Sequence, residues 1–145
     1  MSAVYLVDTS ASQRVLDPEV RSRLRQFNRD GAVATCLPLL LEAGYSARNA
    51  ADHAEIVERE LSAKVLLAPD RAVVDTALRL QSALWADGKG RAVGVSDLQI
   101  AATAMQHSTP ERPVTVVHYD ADFDHIAAIA PELRAEWIVP RGTAD

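Results

Sequence analysis

Short apolar runs alternate with longer segments of helical periodicity along this chain, and this alternation limits the possible folds more than any other feature. Ala-Val-Tyr-Leu-Val at 3–7 and Val-Thr-Val-Val-His at 114–118 are typical of buried strands, and shorter candidates lie at 32–36 and 136–139. Apolar residues at three- and four-residue spacing predict helices between them. The predicted helices cover 18–29, 39–47, 50–62, 70–85, 96–105 and 124–129. The order predicts an α/β fold, a short parallel sheet with helices on both faces.

Length and composition favour one compact domain. The chain has 145 residues, 48% of them hydrophobic, which is enough to bury a single core. The one cysteine, Cys36, lies in an apolar run, so it indicates a small core residue and excludes both a disulfide within the chain and a cysteine-based metal site. Neither a leader-like N-terminus nor a membrane-spanning apolar segment is visible, so we expect a cytoplasmic protein without membrane contact.

Acidic residues follow the predicted strands at the points where those strands end. Asp8 comes directly after 3–7, and Asp120 follows 114–118. The ligand crevice of an open parallel sheet lies beyond the carboxyl ends of its strands. Glu42, about one turn into a predicted helix, and Asp97, at the start of another, are expected at the same rim.

Four carboxylates in one crevice repel one another unless a cation lies among them. Ligands that are all oxygen select a hard ion, so magnesium or manganese is expected. The chemistry that such a centre supports is metal-assisted hydrolysis of a phosphodiester bond.

Each acid also has an ordinary structural interpretation. Asp8 precedes Thr-Ser and suits a turn or a cap, while Asp97 or its neighbour Ser96 suits a helix N-cap. Glu42 is harder to explain in this way, because it interrupts the run Leu-Pro-Leu-Leu-Leu and so places a charge in surroundings expected to be buried. The acids after 114–118 have the interpretation of solvated loop residues: Asp120, Asp122 and Asp124.

Taken together, four motifs resemble those of VapC-type PIN domains, in order over nearly the whole chain. The motifs are Leu-Val-Asp8-Thr-Ser, Leu-Leu-Leu-Glu42 with Tyr-Ser-Ala-Arg48 close behind, Val-Ser-Asp97-Leu-Gln-Ile-Ala-Ala, and Val-Val-His-Tyr-Asp120-Ala-Asp122-Phe. The resemblance implies a PIN-like three-layer sandwich, with 1–145 forming a single PIN domain. It also implies a magnesium- or manganese-dependent endoribonuclease that is the toxin of a toxin–antitoxin pair.

The resemblance assigns roles to individual residues. Asp8 and Asp97 are implied metal ligands, and Glu42 completes the catalytic cluster. An acid of the loop after 114–118 contributes as well: Asp120 is the first choice and Asp122 a close second, since members of the family differ in which acid of this loop approaches the metal. Ser10 is implied to support Asp8 with its hydroxyl.

Partners also follow from the resemblance. They are an RNA substrate, a VapB-type antitoxin whose tail crosses the active-site groove, and a second copy of the chain in a homodimer. The predicted helices at 18–29 and 50–62 are candidate docking surfaces.

The overall charge restricts how RNA is held. A net charge of −5 and a pI of about 5.3 disfavour a broad basic surface but permit a local groove. Arg48, Lys89 and Arg91 are candidate RNA contacts, with a solvated surface residue as the alternative for Arg48. The segment Gly88-Lys89-Gly90-Arg91 lacks the full phosphate-loop pattern, so we interpret it as a basic loop beside the metal site.

Other functions fit the sequence less well. His118 and His125 flank the acidic loop, but their spacing does not give a zinc site. A receiver-like signalling module that binds magnesium needs adjacent acids after the first strand and a lysine after the last, and neither is present. A catalytically silent PIN-like interaction domain is a third hypothesis, against which the complete set of acids argues.

Overall fold

A computed structural model of the protein describes residues 2–145. In this part of the chain there are five strands: β1 Ala3–Val7, β2 Gly31–Cys36, β3 Val65–Leu67, β4 Val114–His118 and β5 Ala135–Trp137. The helices are α1 Thr9–Ser12, α2 Pro18–Asp30, α3 Leu37–Tyr45, α4 Ala50–Ala63, α5 Arg71–Ala86, α6 Val95–His107 and α7 Asp122–Ile129. None of the helices in residues 2–145 is long and apolar enough to cross a membrane.

All five strands are parallel and follow the order β3-β2-β1-β4-β5. β1 is therefore central, with Val4 beside Ala32 of β2 on one side and Val114 of β4 on the other. The predicted parallel sheet is confirmed. Because β1 and β4 are neighbours that run in the same direction, the residues after them, Asp8 and Asp120, lie at the same edge of the sheet.

The sheet separates two apolar cores. Val4 and Leu6 of β1 point into the larger core, under residues of α3, α5, α6 and α7. Val7 points into the smaller core, with Val20 and Phe27 of α2. Alternate residues of a strand face opposite sides of the sheet, so both faces are covered and the predicted three-layer sandwich is confirmed. Burying each large aliphatic side chain contributes roughly 1.5–3 kcal/mol.

Several element boundaries differ from the predictions. β3 was not predicted, because three residues are too short to give a periodic signal. β2 begins at Gly31, one residue before the predicted strand 32–36. Ser96 and Asp97 do not cap α6, since Gly94 occupies the N-cap position and no side chain caps the helix.

Candidate metal centre

Three of the predicted acids converge. Asp8, Asp97 and Asp120 each offer a carboxylate oxygen, and these oxygens all lie within 4.8 Å of one another. Asp8 caps α1 at the end of β1, Asp97 lies in the first turn of α6, and Asp120 follows β4. The parallel pairing of β1 and β4 brings two of them together, and the packing of α6 on the sheet adds the third. We call these residues the carboxylate trio.

Ser10 connects the ends of the two central strands. Its backbone N–H donates to Asp8 Oδ2 at 3.1 Å, and its hydroxyl oxygen accepts the N–H of Tyr119 at 2.9 Å. The Asp8 N–H donates to Val117 of β4 at 2.9 Å. Ser10 therefore contacts Asp8 and also holds the β4 end beside it.

Asp120 and Asp122 have different positions in the loop after β4. The Asp122 N–H donates to Asp120 Oδ1 at 2.9 Å, which orients the Asp120 carboxylate. Asp122 Oδ2 accepts the Gly94 N–H at 3.3 Å, at the start of α6, and the Asp122 side chain contributes to the raised pKa of Asp97. Asp122 thus borders the trio next to Asp97, and Asp120 is the acid of this loop that joins the trio.

The electrostatics of the trio favour proton or cation binding. Burial raises the pKa of Asp97 to about 8, assisted by the Asp122 side chain and by the charges of Asp8 and Asp120. Asp8 is only 4% exposed, and burial also raises its pKa, although hydrogen bonds from Ser10 oppose this. The donor set is three carboxylates without a thiolate or imidazole. It therefore fits a hard divalent ion such as Mg²⁺ or Mn²⁺.

Glu42 lies beside the trio and outside it. Its Oε2 accepts a hydrogen bond from the Thr9 hydroxyl at 3.0 Å, and its charge contributes to the raised pKa of Asp8. The expected buried surroundings are found only on one side of α3, because Pro38 and Leu39 are buried while Leu41 and Tyr45 are 64% and 93% exposed. Thr9 was missed as a partner of Glu42, although it belongs to the Asp-Thr-Ser motif.

The buried residues near the site include His118 and Cys36. His118 is fully buried, its side chain is outside the trio, and burial lowers its pKa. The zinc hypothesis gains no support from this arrangement. Cys36 is a buried core residue as predicted, and burial raises the pKa of its thiol to about 11.

The candidate RNA contacts are exposed and have weak partners. Arg48 Nε lies 3.5 Å from Asp52 Oδ2, and Lys89 Nζ lies 3.6 Å from Asp87 Oδ2. The Arg91 guanidinium lies over the Trp85 ring, 5.5 Å from its centre. Lys89 and Arg91 belong to the segment that leads to Gly94, whose N–H binds Asp122, so this loop adjoins the site. Arg48 lies on a different segment, just before α4.

A family model for the PIN domain matches residues 5–129. This chain belongs to the PIN-domain family. Ribonuclease VapC21 of Mycobacterium tuberculosis is 40% identical over 145 residues, which cover 99% of this chain and 100% of the relative. Ribonuclease VapC51 of the same species is 39% identical and covers 100% of both chains.

Solved structures show the same fold. VapBC of Salmonella typhimurium bound to DNA aligns with a TM-score of 0.72 at 20% identity, over 96% of this chain and 100% of the other. VapBC2 of Rickettsia felis, bound to a DNA fragment from its promoter, aligns with a TM-score of 0.69 at 18% identity, over 92% of this chain and 97% of the other. The receiver-like and silent alternatives are not favoured by these similarities.

Proposed function

We propose that this chain is a magnesium- or manganese-dependent endoribonuclease, a single PIN domain over 1–145 that hydrolyses RNA phosphodiester bonds as the toxin of a toxin–antitoxin pair. The observation that carries the proposal is the convergence of Asp8, Asp97 and Asp120 within 4.8 Å. Membership of the PIN-domain family and the likeness to ribonucleases VapC21 and VapC51 support the same activity.

In this proposal Asp8, Asp97 and Asp120 hold the divalent ion. When bound, such an ion lowers the pKa of a water molecule and neutralises charge on the phosphate. Asp122 adds negative charge beside Asp97, and Glu42 does so beside Asp8, so both belong to the catalytic cluster.

The remaining residues of the site orient these acids and bind RNA. Ser10 keeps Asp8 and the β4 end in place. Lys89 and Arg91 contact phosphates from the adjoining loop, and Arg48 does so from the segment just before α4.

The experiment is cleavage of single-stranded RNA by the purified chain with Mg²⁺, with Mn²⁺ and with EDTA. We expect cleavage only with a divalent ion. Asp97→Asn should lower the rate by at least about 100-fold, since even residues that only support metal ligands are worth 10–100-fold. Asp124→Asn is the matched control, because Asp124 is an exposed acid of α7, two residues after Asp122, whose carboxylate accepts a hydrogen bond from Trp137 and is not part of the trio. Full activity in EDTA, or equal rates for the two variants, would contradict the proposal.

The proposed partner is a VapB-type antitoxin. The solved relatives include VapBC complexes, and this chain exposes apolar side chains that a single copy leaves uncovered. They lie along one side of α3 and at the start of α6: Leu37, Leu41, Tyr45 and Val95. Of the two predicted docking surfaces, α2 is the less suitable for an antitoxin, because its apolar residues Val20 and Phe27 are buried in the core. α4 is the more suitable, because its Leu61 is exposed.

We expect the antitoxin to inhibit by placing a cationic side chain among the carboxylates, because negative charge is the main feature of the pocket. The complex should then bind Mn²⁺ at least tenfold more weakly than the free chain. Calorimetric titration of both forms measures this, and equal affinities would contradict it.

The proposed homodimer is tested by light scattering of the free chain.

A further inference from the structure

His118 is a polar residue in an apolar position. It is the last residue of β4 and is fully buried. Its ring lies between the rings of Phe123, at a centroid distance of 4.8 Å, and Trp137, at 5.1 Å. A hydrocarbon side chain would suit these surroundings at least as well, so the presence of an imidazole requires an explanation.

The two ring nitrogens of His118 have different environments. Nδ1 accepts the backbone N–H of Asp120 at 3.2 Å, which requires that the hydrogen of the neutral ring be on Nε2. Nε2 has no hydrogen-bond partner among the described residues. A buried donor without a partner lowers stability, so the benefit of this histidine lies at Nδ1.

The bond at Nδ1 acts on the backbone of Asp120. β4 ends at His118, and the next two N–H groups are held by side chains: that of Tyr119 by Ser10 and that of Asp120 by His118. The Asp120 carboxylate itself accepts the Asp122 N–H. The position of the backbone at 120 and the direction of its carboxylate are therefore fixed together.

We propose that His118 is a positioning residue of the metal centre: by accepting the Asp120 N–H at Nδ1, it directs the Asp120 carboxylate into the trio. It contacts neither the ion nor the RNA. The inference rests on the proposed function only in requiring that the trio bind a divalent ion.

Two substitutions separate this role from packing. Asparagine carries its Oδ1 close to the position of the histidine Nδ1, so His118→Asn keeps the acceptor while losing ring volume. His118→Leu fills the apolar pocket and removes the acceptor. If His118 serves only to fill space, His118→Asn should be the less stable variant and should also bind the metal ion more weakly. If His118 positions Asp120, His118→Leu should be the variant that binds the metal ion more weakly.

The experiment is calorimetric titration of each protein with Mn²⁺, together with thermal melts in EDTA. We expect His118→Leu to bind Mn²⁺ about 10–100-fold more weakly than wild type, and His118→Asn to remain within about threefold. Ile126→Val, a change in the core cluster that contains Phe123, is the stability control and should keep wild-type affinity. RNA cleavage should follow the same order, with the loss in kcat. If His118→Leu does not fold, His118→Phe gives the same comparison.

Wild-type affinity in His118→Leu would overturn the inference, as would equal losses in the leucine and asparagine variants. Failure of the wild type to bind Mn²⁺ would overturn both the inference and the metal dependence of the proposed function. If the wild type binds Mn²⁺ without cleaving RNA, the proposed function fails, and the inference is still decided by the affinities.

Discussion

At Asp97, burial and three neighbouring acids all disfavour a negative charge. The neighbours are Asp8, Asp120 and Asp122, which come from the ends of two strands and the loop that follows. Together they raise the pKa of Asp97 to about 8, so the metal-free cluster of carboxylates holds a proton at neutral pH. A cation bound among these carboxylates would take the place of this proton.

This raised pKa makes the stability of the metal-free protein depend on pH. Between the ordinary pKa of 3.8 and the folded value of about 8, the folded state holds a proton that the unfolded state has lost, so stability falls as pH rises. Asp8 acts in the same direction. The lowered pKa of His118 has the opposite effect around and below pH 6.5, the ordinary histidine value, but wild type and Asp97→Asn share it, so the difference between their profiles reports the acids.

We therefore expect urea unfolding in EDTA to give a lower free energy at pH 8 than at pH 6.5 for wild type, and a smaller difference for Asp97→Asn. Asp124→Asn serves as the control and should follow wild type. Parallel pH profiles for wild type and Asp97→Asn would show that the Asp97 proton is not linked to folding.

At the scale of elements, glycine 31 illustrates how a close approach between strands restricts the side chain. A Cβ on Gly31 would lie 2.3 Å from the carbonyl oxygen of Ala3 and 3.0 Å from the Tyr5 ring. Both contacts belong to β1, which pairs with Gly31 in parallel register. The close approach of β1 therefore leaves no room for a side chain at position 31. The same residue is also the C-cap of α2.

Gly31→Ala should destabilise the protein by about 1–3 kcal/mol, the usual cost of overpacking, because backbone atoms of β1 must move. Gly94→Ser is the control: a Cβ there meets nothing within 4 Å, and serine is at least as good an N-cap. Denaturant unfolding of both variants measures the difference. A neutral Gly31→Ala would mean that the β1–β2 edge adjusts freely.

Helices and strands were predicted well where the apolar periodicity is strong. They were predicted poorly where contacts between distant segments determine where an element begins or ends. The apolar runs gave β1 and β4, and hence Asp8 and Asp120, because parallel strands end at one edge. β3 is too short for its pattern to be detected. The start of α6 was predicted at Ser96 and Asp97, but Gly94 occupies the N-cap position and its N–H bonds Asp122, a contact between distant segments that the sequence pattern does not show.

At the scale of the whole molecule, the net charge of −5 is partly a consequence of the site. Asp8, Asp97 and Asp120 are concentrated at one edge of the sheet, with Glu42 and Asp122 beside them. Their repulsion opposes folding when no cation is present, and an ion that binds only the folded state removes it. Global stability thus reports on the site without any RNA substrate.

Magnesium should therefore raise the melting temperature of the wild type. With a dissociation constant of about 1 mM, 10 mM Mg²⁺ stabilises the folded state by about 1.4 kcal/mol, or roughly 3–6 °C for a domain of this size. In EDTA, Asp97→Asn should melt at or above the wild-type temperature, because asparagine is neutral without taking up a proton, whereas Asp97 is neutral in the folded protein only by holding a proton well above its ordinary pKa, and no helix cap is lost.

The same substitution should largely abolish the response to magnesium, since it removes one member of the trio. Asp124→Asn should keep the full response, because its carboxylate bonds Trp137 instead. Melts of the three proteins with EDTA and with Mg²⁺ make the comparison. An Asp97→Asn variant that is destabilised in EDTA yet responds to magnesium like the wild type would show that Asp97 serves the fold and that the ion binds elsewhere.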